Sequence, residues 1–360
     1  MAIIITDNIE KECLNLISIY QDIDFIKNKI LNAYSNLSED KQISVSENIR
    51  FYISQGLELY SVSNTSINTI PLTLFYSLNN FAKAIYLLHY PNLSISGSHG
   101  LTLTDARTAS SIGDIIVHVN KKGTFVNLND VIGDPLFPND TITLKELFSL
   151  LPELREIYYL IYEEEPNVFL LQGKKESDSF YNVFFQTTKE EFITCKDLTL
   201  LKTNGYHLDT FNSYYGLRGE LSLTANSFGK ENNVLYYDIF GNKYCTTGIR
   251  IANDYVKLSK LNILYICLYV FSMYVRYYPD MWMRYCASKD ISIINKLVTN
   301  SKTTLLTEIL QLLNHEYYSF TREVEFLDSD LDYSDILNNL LKKIKEENGR
   351  RGKSILLDYI

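Results

Sequence analysis

The sequence has little of what marks several common classes of protein. Its 360 residues include 7 Pro, 15 Gly, 5 Cys and one Trp, and this composition excludes collagen and a disulfide-stabilised scaffold. The cysteines are odd in number and form no Cys-x-x-Cys pair, so zinc knuckles and thioredoxin chemistry lose support. Reduced thiols of this kind are typical of the cytoplasm, and we predict that localisation.

Motifs for the best-known enzyme classes are also missing. The chain has no glycine-rich phosphate loop of either common pattern and no Gly-x-Ser-x-Gly elbow, which disfavours common nucleotide hydrolases, dehydrogenases and α/β-hydrolases. His89, His118, His207 and His315 are isolated, and the run of glutamates from 163 to 165 has no matching partner. We therefore predict no metal and no cofactor.

Charge and hydropathy exclude two further classes. Asp and Glu number 43 against 34 Lys and Arg, a net charge of −9, so a globally basic protein that coats nucleic acid is disfavoured, although a local basic patch remains allowed. The N-terminus lacks the features of a signal peptide. The longest apolar run, Leu261–Val275, is shorter than the roughly 20 residues of a bilayer span, so we expect a core helix and no membrane partner.

Apolar residues spaced three and four apart predict helices at both ends of the chain. Gly56 lies inside the second of them and indicates close packing against another helix. The predicted helices are Ile9–Tyr34, Ser44–Ser63, Pro71–His89, Leu258–Tyr278, a short one from Pro279, Ile291–Tyr318 with a break, and Ser334–Glu347.

The middle of the chain alternates apolar and polar residues, as strands do. Asp114–Asp130 has this pattern on both sides of a Lys-Lys-Gly turn and predicts a hairpin, and a second hairpin is predicted from Val234 around Gly241-Asn242. Further strands are predicted at Val168–Gln172 and Phe180–Thr187.

These patterns predict a mainly α protein with an α+β insertion. Residues 1–110 and 256–360 are expected to form one helical bundle, and residues 111–255 an insertion with antiparallel β-hairpins. We expect the helix Leu258–Tyr278 to pack on the helix Pro71–His89, which would bring the Arg276 region near the latter's polar side.

The helix Pro71–His89 has two distinct faces. At 100° per residue, its apolar core residues lie on one side of the helix. Tyr76, Asn79, Asn80 and Lys83 form a line of polar groups on the opposite side. This polar stripe is either an ordinary solvated face or a donor-rich surface for an anion or a partner chain. The Ser-His-Gly turn at 98–100 favours the second interpretation.

The same segment resembles a known family. Phe-Tyr-Ser-Leu-x-Asn-x-x-Lys-Ala, an aliphatic run and then Ser-His-Gly-Leu are similar to the YaaC-like protein family. The resemblance is clearest over Ile67–Leu103 and returns at Val275–Trp282. It implies a cytoplasmic, bacterial, largely helical protein, and it brings no assigned reaction.

A shorter resemblance, to HEPN-type helical domains, would imply a module of nucleic-acid systems and in some members a metal-independent ribonuclease. The ribonuclease signature is an Arg followed after four to six residues by a His. The chain departs from it, because no His follows Arg276 at that spacing and the general acid or base is missing.

We therefore predict a binding or regulatory protein rather than an enzyme. Its groove would accommodate an anion, a nucleotide or a protein segment, and its oligomeric state stays open. The candidate ligand-binding residues are Tyr76, Asn80, Lys83, His99, Arg276 and Trp282. The alternative is a divergent HEPN-like ribonuclease of an antiviral defence or toxin system, in which His99 acts as acid and base and Arg276 stabilises the phosphate.

Three of these residues also have structural interpretations, which the sequence leaves open. His99 could be a turn histidine bonded to the backbone, Arg276 a cation at a helix C-terminus, and Trp282 a core residue.

Overall fold

The computed structural model describes residues 2–63, 66–104, 106–177, 180–186, 199–204, 206–210, 218–224, 234–239, 242–316 and 318–321. Residues 1–321 form one compact unit. The helix predicted at Ser334–Glu347 lies outside the described residues, and the division of the chain at residues 110 and 255 remains a prediction about sequence segments.

The helices frame the molecule. They are α1 Ile9–Ser18, α2 Ile23–Ala33, α3 Glu39–Ser61, α4 Ile70–His89, α5 Thr124–Ile132, α6 Leu144–Ser149, α7 Arg155–Tyr162, α8 Thr199–Thr203, α9 Lys260–Tyr277, α10 Pro279–Cys286 and α11 Asp290–Asn314.

Two predicted helices differ in detail. The first divides at a short 3-10 turn, Ile19–Gln21, because the Asp22 carboxylate accepts hydrogen bonds from the first amides of α2 and starts a new helix. The break expected after Ile291 is absent, since α11 runs unbroken to Asn314.

The strands form small sheets. They are β1 Ala2–Ile5, β2 Leu101–Thr104, β3 Ile116–Val119, β4 Thr141–Thr143, β5 Val168–Ser177, β6 Phe180–Gln186, β7 Tyr206–Thr210, β8 Arg218–Thr224, β9 Leu235–Tyr237, β10 Lys243–Thr246, β11 Ile249–Ile251, β12 Asp254–Val256 and β13 Tyr318–Thr321. The sheet orders are β2-β3-β4, β7-β8-β6-β5-β10-β9, β11-β12 and β1-β13. The first three sheets pair antiparallel, whereas β1 and β13 pair parallel.

The two predicted hairpins have different outcomes. The second is confirmed, because β9 pairs antiparallel with β10. The first is wrong: after β3 the chain enters α5, and β3 pairs with β2 and β4 instead. Phe125 and Leu128 are both fully buried at a helical spacing, so burial of one helix face overrides the alternating pattern that had suggested a strand.

The mainly α class and the single bundle are confirmed. Helix α9 is buried on nearly all sides from Lys260 to Ser272 and packs on α4, α10 and α11. Among the described residues, no helix combines the length and the apolar character that a membrane crossing requires.

Helices α3 and α4 approach closely at Gly56, as its position predicted. The Ser77 hydroxyl donates to the Gly56 carbonyl at 2.7 Å. A Cβ atom on Gly56 would lie 2.7 Å from the Phe81 ring, which is closer than packing allows, so any larger residue would force the ring or the helices to shift.

Candidate functional site

The polar stripe of α4 lines a cavity of about 470 Å³. The wall also includes α3, the Ser-His-Gly turn and the first residue of α5. The lining residues are Gln55, Glu58, Leu59, Tyr76, Asn79, Asn80, Lys83, Gly97, His99 and Thr124. The volume suits a small organic molecule rather than a bare ion.

The Ser-His-Gly turn is fixed against α5. The first two amides of α5, those of Thr124 and Phe125, donate to the carbonyls of Ser98 and His99, each at 2.9 Å. Gly100 has a φ of 87° and Gly123 a φ of 146°, and a Cβ on Gly123 would overlap the Gly100 backbone. Two glycines in direct backbone contact therefore hold the His99 side chain in the cavity wall.

His99 lies half-buried among aromatic rings. Its ring centroid is 5.1 Å from that of Phe75 and 5.8 Å from that of Tyr269. Its ring nitrogens have no hydrogen-bond partner within the described part of the chain, so it is not the backbone-bonded turn histidine of the alternative interpretation. Burial, and then the charges of Lys83 and Arg276, lower the pKa of His99.

Lys83 is a half-buried cation without a carboxylate partner among the described residues. Its Nζ atom lies 5.2 Å from the centroid of the Tyr52 ring, a cation–π contact that offsets only part of the lost hydration. Burial lowers the pKa of Lys83. The ammonium is thus placed in a cavity wall at an electrostatic cost that the described residues do not repay.

Amide and hydroxyl groups between these cations are oriented by the core. The Tyr265 hydroxyl donates to Oδ1 of Asn79 at 2.8 Å, and Nδ2 of Asn80 donates to the Tyr76 carbonyl at 3.0 Å. Oδ1 of Asn80 and Nδ2 of Asn79 have no other hydrogen bond within the described residues. The wall therefore offers an acceptor and a donor to a ligand.

Arg276 is not one of the lining residues but contacts Tyr76, which is. It lies exposed in the last turn of α9, where a cation is favoured by the helix dipole, and its Nη1 atom donates to the Tyr76 hydroxyl at 2.8 Å. The predicted meeting of the Arg276 region with the stripe on α4 is therefore observed, and the capping interpretation also holds.

Trp282 lies elsewhere, which corrects its assignment to the site. Its side chain is 2% exposed, its ring is 5.7 Å from Phe271, and its Nε1–H donates to Oδ1 of Asn68 at 3.1 Å. Trp282 is a core residue, because burying a large ring and satisfying its one donor leave nothing for a ligand.

Helix α3 also contributes to the site, which the motifs of the sequence did not indicate. Gln55 and Glu58 flank Gly56 and line the cavity, and neither side chain has a hydrogen-bond partner among the described residues. Gly56 was the available signal: the face of α3 that touches α4 must also carry the residues next to the stripe.

Within the described residues, no group of three or more His, Cys, Asp or Glu side chains could hold a metal ion.

The fold and the site thus define a mainly helical protein with a polar, cation-bearing cavity beside its central helix. The chain belongs to the YaaC-like family, since a family model described as YaaC-like Protein matches residues 18–313. No curated protein and no solved structure matches the chain.

Proposed function

We propose that the chain is a binding or regulatory protein whose cavity accommodates an anionic ligand of nucleotide size. The observation that carries this proposal is Lys83, a half-buried ammonium without a counter-ion among the described residues. A ligand anion would repay the desolvation of Lys83, and Arg276 and His99 would add further donors.

The rest of the lining supports an organic ligand. The amides of Gln55, Asn79 and Asn80, together with the Glu58 carboxylate, provide both donors and acceptors. The edges of a nucleobase present the same mixture of groups. A phosphate near Lys83 and a base against these amides would use the charged and the neutral parts of the wall.

Calorimetric titration tests this proposal with AMP, ATP and inorganic phosphate at low ionic strength. We expect binding that weakens at least about tenfold in Lys83→Met, equivalent to roughly 1.4 kcal/mol. Lys243→Met is the matched control, because Lys243 also lies over a tyrosine ring, at 5.9 Å from that of Tyr237, but does not line the cavity. Absence of binding for all three anions, or equal loss in both variants, would refute the proposal.

The alternative function is a divergent HEPN-like ribonuclease in a defence or toxin setting. The observation in its favour is that His99 and Arg276, far apart in sequence, are close enough for Arg276 to lower the pKa of His99. His99 would transfer the proton and Arg276 would stabilise the phosphate. Purified protein is incubated with RNA beside His99→Ala and Arg276→Ala. Cleavage lost in both variants would replace the binding proposal, and no cleavage with retained nucleotide binding would remove the ribonuclease.

A further inference from the structure

We propose that the cavity binds a dianion together with a proton, and that His99 is the group that takes up this proton. The inference rests on the proposed anion-binding function and adds how the site selects and regulates its ligand. The preferred chemical class is then a doubly charged oxyanion, as in a phosphate monoester, rather than a single carboxylate.

The charged groups near His99 come from three helices. Lys83 from α4 and Glu58 from α3 line the same cavity as His99. Arg276 from α9 donates to the hydroxyl of Tyr76, whose ring centroid is 6.2 Å from that of His99. Lys83 and Arg276 both act on His99 as cations. Helix α5 contributes Thr124, which does not titrate. The Tyr269 hydroxyl donates to the Leu101 carbonyl at 3.0 Å, and burial raises the pKa of Tyr269 to about 12, so it stays neutral.

These neighbours determine the protonation state of His99 when no ligand is bound. Two cations and aromatic walls oppose a third positive charge, so the imidazole is neutral at neutral pH. Its ring nitrogens have no partner among the described residues. The imidazole is therefore available to donate a hydrogen bond to a ligand in the cavity.

A bound anion changes the protonation state of His99. A dianion beside Lys83 opposes the positive potential that Lys83 and Arg276 produce at His99 and stabilises the imidazolium. The bound anion then receives charge-assisted hydrogen bonds from the His99 imidazolium as well as from the Lys83 ammonium. A monoanion carries half the charge and therefore gives a smaller rise in the His99 pKa.

Linkage fixes the pH dependence. Because the His99 pKa is low in the free protein and raised in the complex, binding takes up a proton between these two values. Affinity strengthens as pH falls through the pKa of the complex, by at most about tenfold per pH unit, and levels off below the pKa of the free protein.

Sulfate is the decisive probe, because it remains a dianion across the range in which histidine titrates. The chain has five histidines, so the His99 imidazole signal can be assigned by its loss in His99→Gln. We expect NMR titration of the wild-type protein to show a raised His99 pKa with sulfate and an unchanged His118 signal. Calorimetry in two buffers should show proton uptake by the wild type and by His118→Gln, and none by His99→Gln.

The outcomes separate the two proposals. Sulfate binding that weakens in Lys83→Met but leaves the His99 pKa unchanged would overturn proton coupling alone. Proton uptake that persists in His99→Gln would also overturn it, because another group would then be the acceptor. Failure of sulfate and of the nucleotides to bind at any pH would overturn the anion-binding function itself.

Discussion

Two lysines of this protein occupy buried positions in opposite ways. Lys260 begins α9 with a side chain that is 7% exposed, and its Nζ atom lies 3.4 Å from a Glu308 oxygen and 3.6 Å from a Glu153 oxygen. It also donates to the Tyr237 carbonyl at 2.7 Å. Lys83 has no such carboxylates within the described residues and has only the face of Tyr52.

The pKa values of the two lysines follow this difference. For Lys260, burial favours the neutral amine, but Glu308 and Glu153 outweigh it and raise the pKa. For Lys83, burial acts without such compensation and lowers the pKa. The comparison teaches that the fold neutralises a cation it needs for structure, whereas the cation at the cavity has no counter-charge among the residues that the structure describes and suits a ligand.

The largest effect is expected for Lys260→Met. Removing the ammonium leaves Glu153 and Glu308 facing each other in a poorly solvated site, which costs about 3–5 kcal/mol of unfolding free energy. Urea denaturation at neutral pH measures it. Adding Glu308→Gln to Lys260→Met should restore part of the loss, and a single variant as stable as the wild type would contradict a structural role.

A smaller loss is expected for Gly56→Ala, which tests the contact that brings α3 to the cavity. The new Cβ would lie 2.7 Å from Phe81, and overpacking of this kind costs about 1–3 kcal/mol. Gly97→Ala is the control in the same cavity wall, because its Cβ would meet nothing within 4 Å. Equal stability of the two variants would contradict the close packing of α3 on α4.

Lys83→Met sharpens the comparison by having little effect on stability. Loss of a half-buried charge that has no ion-pair partner in the described part of the chain should change the unfolding free energy by less than about 1 kcal/mol, in either direction. The same urea titrations measure this change, beside the loss of anion binding by calorimetry. A destabilisation as large as that of Lys260→Met would assign Lys83 to structure instead.

The smallest effect concerns a pair of histidines, at the C-terminal ends of α4 and α11. The His89 and His315 rings lie 4.6 Å apart. Burial and then the charge of His315 lower the pKa of His89, and Lys29 adds to this lowering. The folded state binds the proton less readily than the unfolded state, so stability falls as pH drops below the ordinary histidine value of about 6.5.

His89→Gln should flatten this decline, measured as urea midpoints on both sides of that pH. His118→Gln serves as the control, because His118 lies on β3 away from this pair. An unchanged pH profile in His89→Gln would contradict the assignment.

Regular patterns predicted the helical part of the fold well. The faces of α4 could be read directly, because its apolar residues recur at helical spacing and Pro71 and Pro91 mark its ends. The segment after β3 could not, because Thr124–Ile132 is short enough for its residues to suit a strand or a helix. Burial of Phe125 against Tyr265, with ring centroids 5.5 Å apart, decides for the helix.

The candidate site was only partly predictable for a similar reason. Tyr76, Asn80 and Lys83 share one helix, so local geometry was enough to group them. Glu58 and Gln55 reach the cavity only through tertiary packing of α3. Trp282 was misassigned because its residue type suits stacking on a ligand as well as it suits a core.

The contact between Gly100 and Gly123 has a consequence for how a ligand arrives. The backbones of Gly100 and Gly123 are in direct contact, and the first α5 amides already donate to the Ser98 and His99 carbonyls. This part of the cavity wall is therefore held in one position. The receptor is ready-made here, and its association kinetics should be a single diffusional phase with no slow isomerisation.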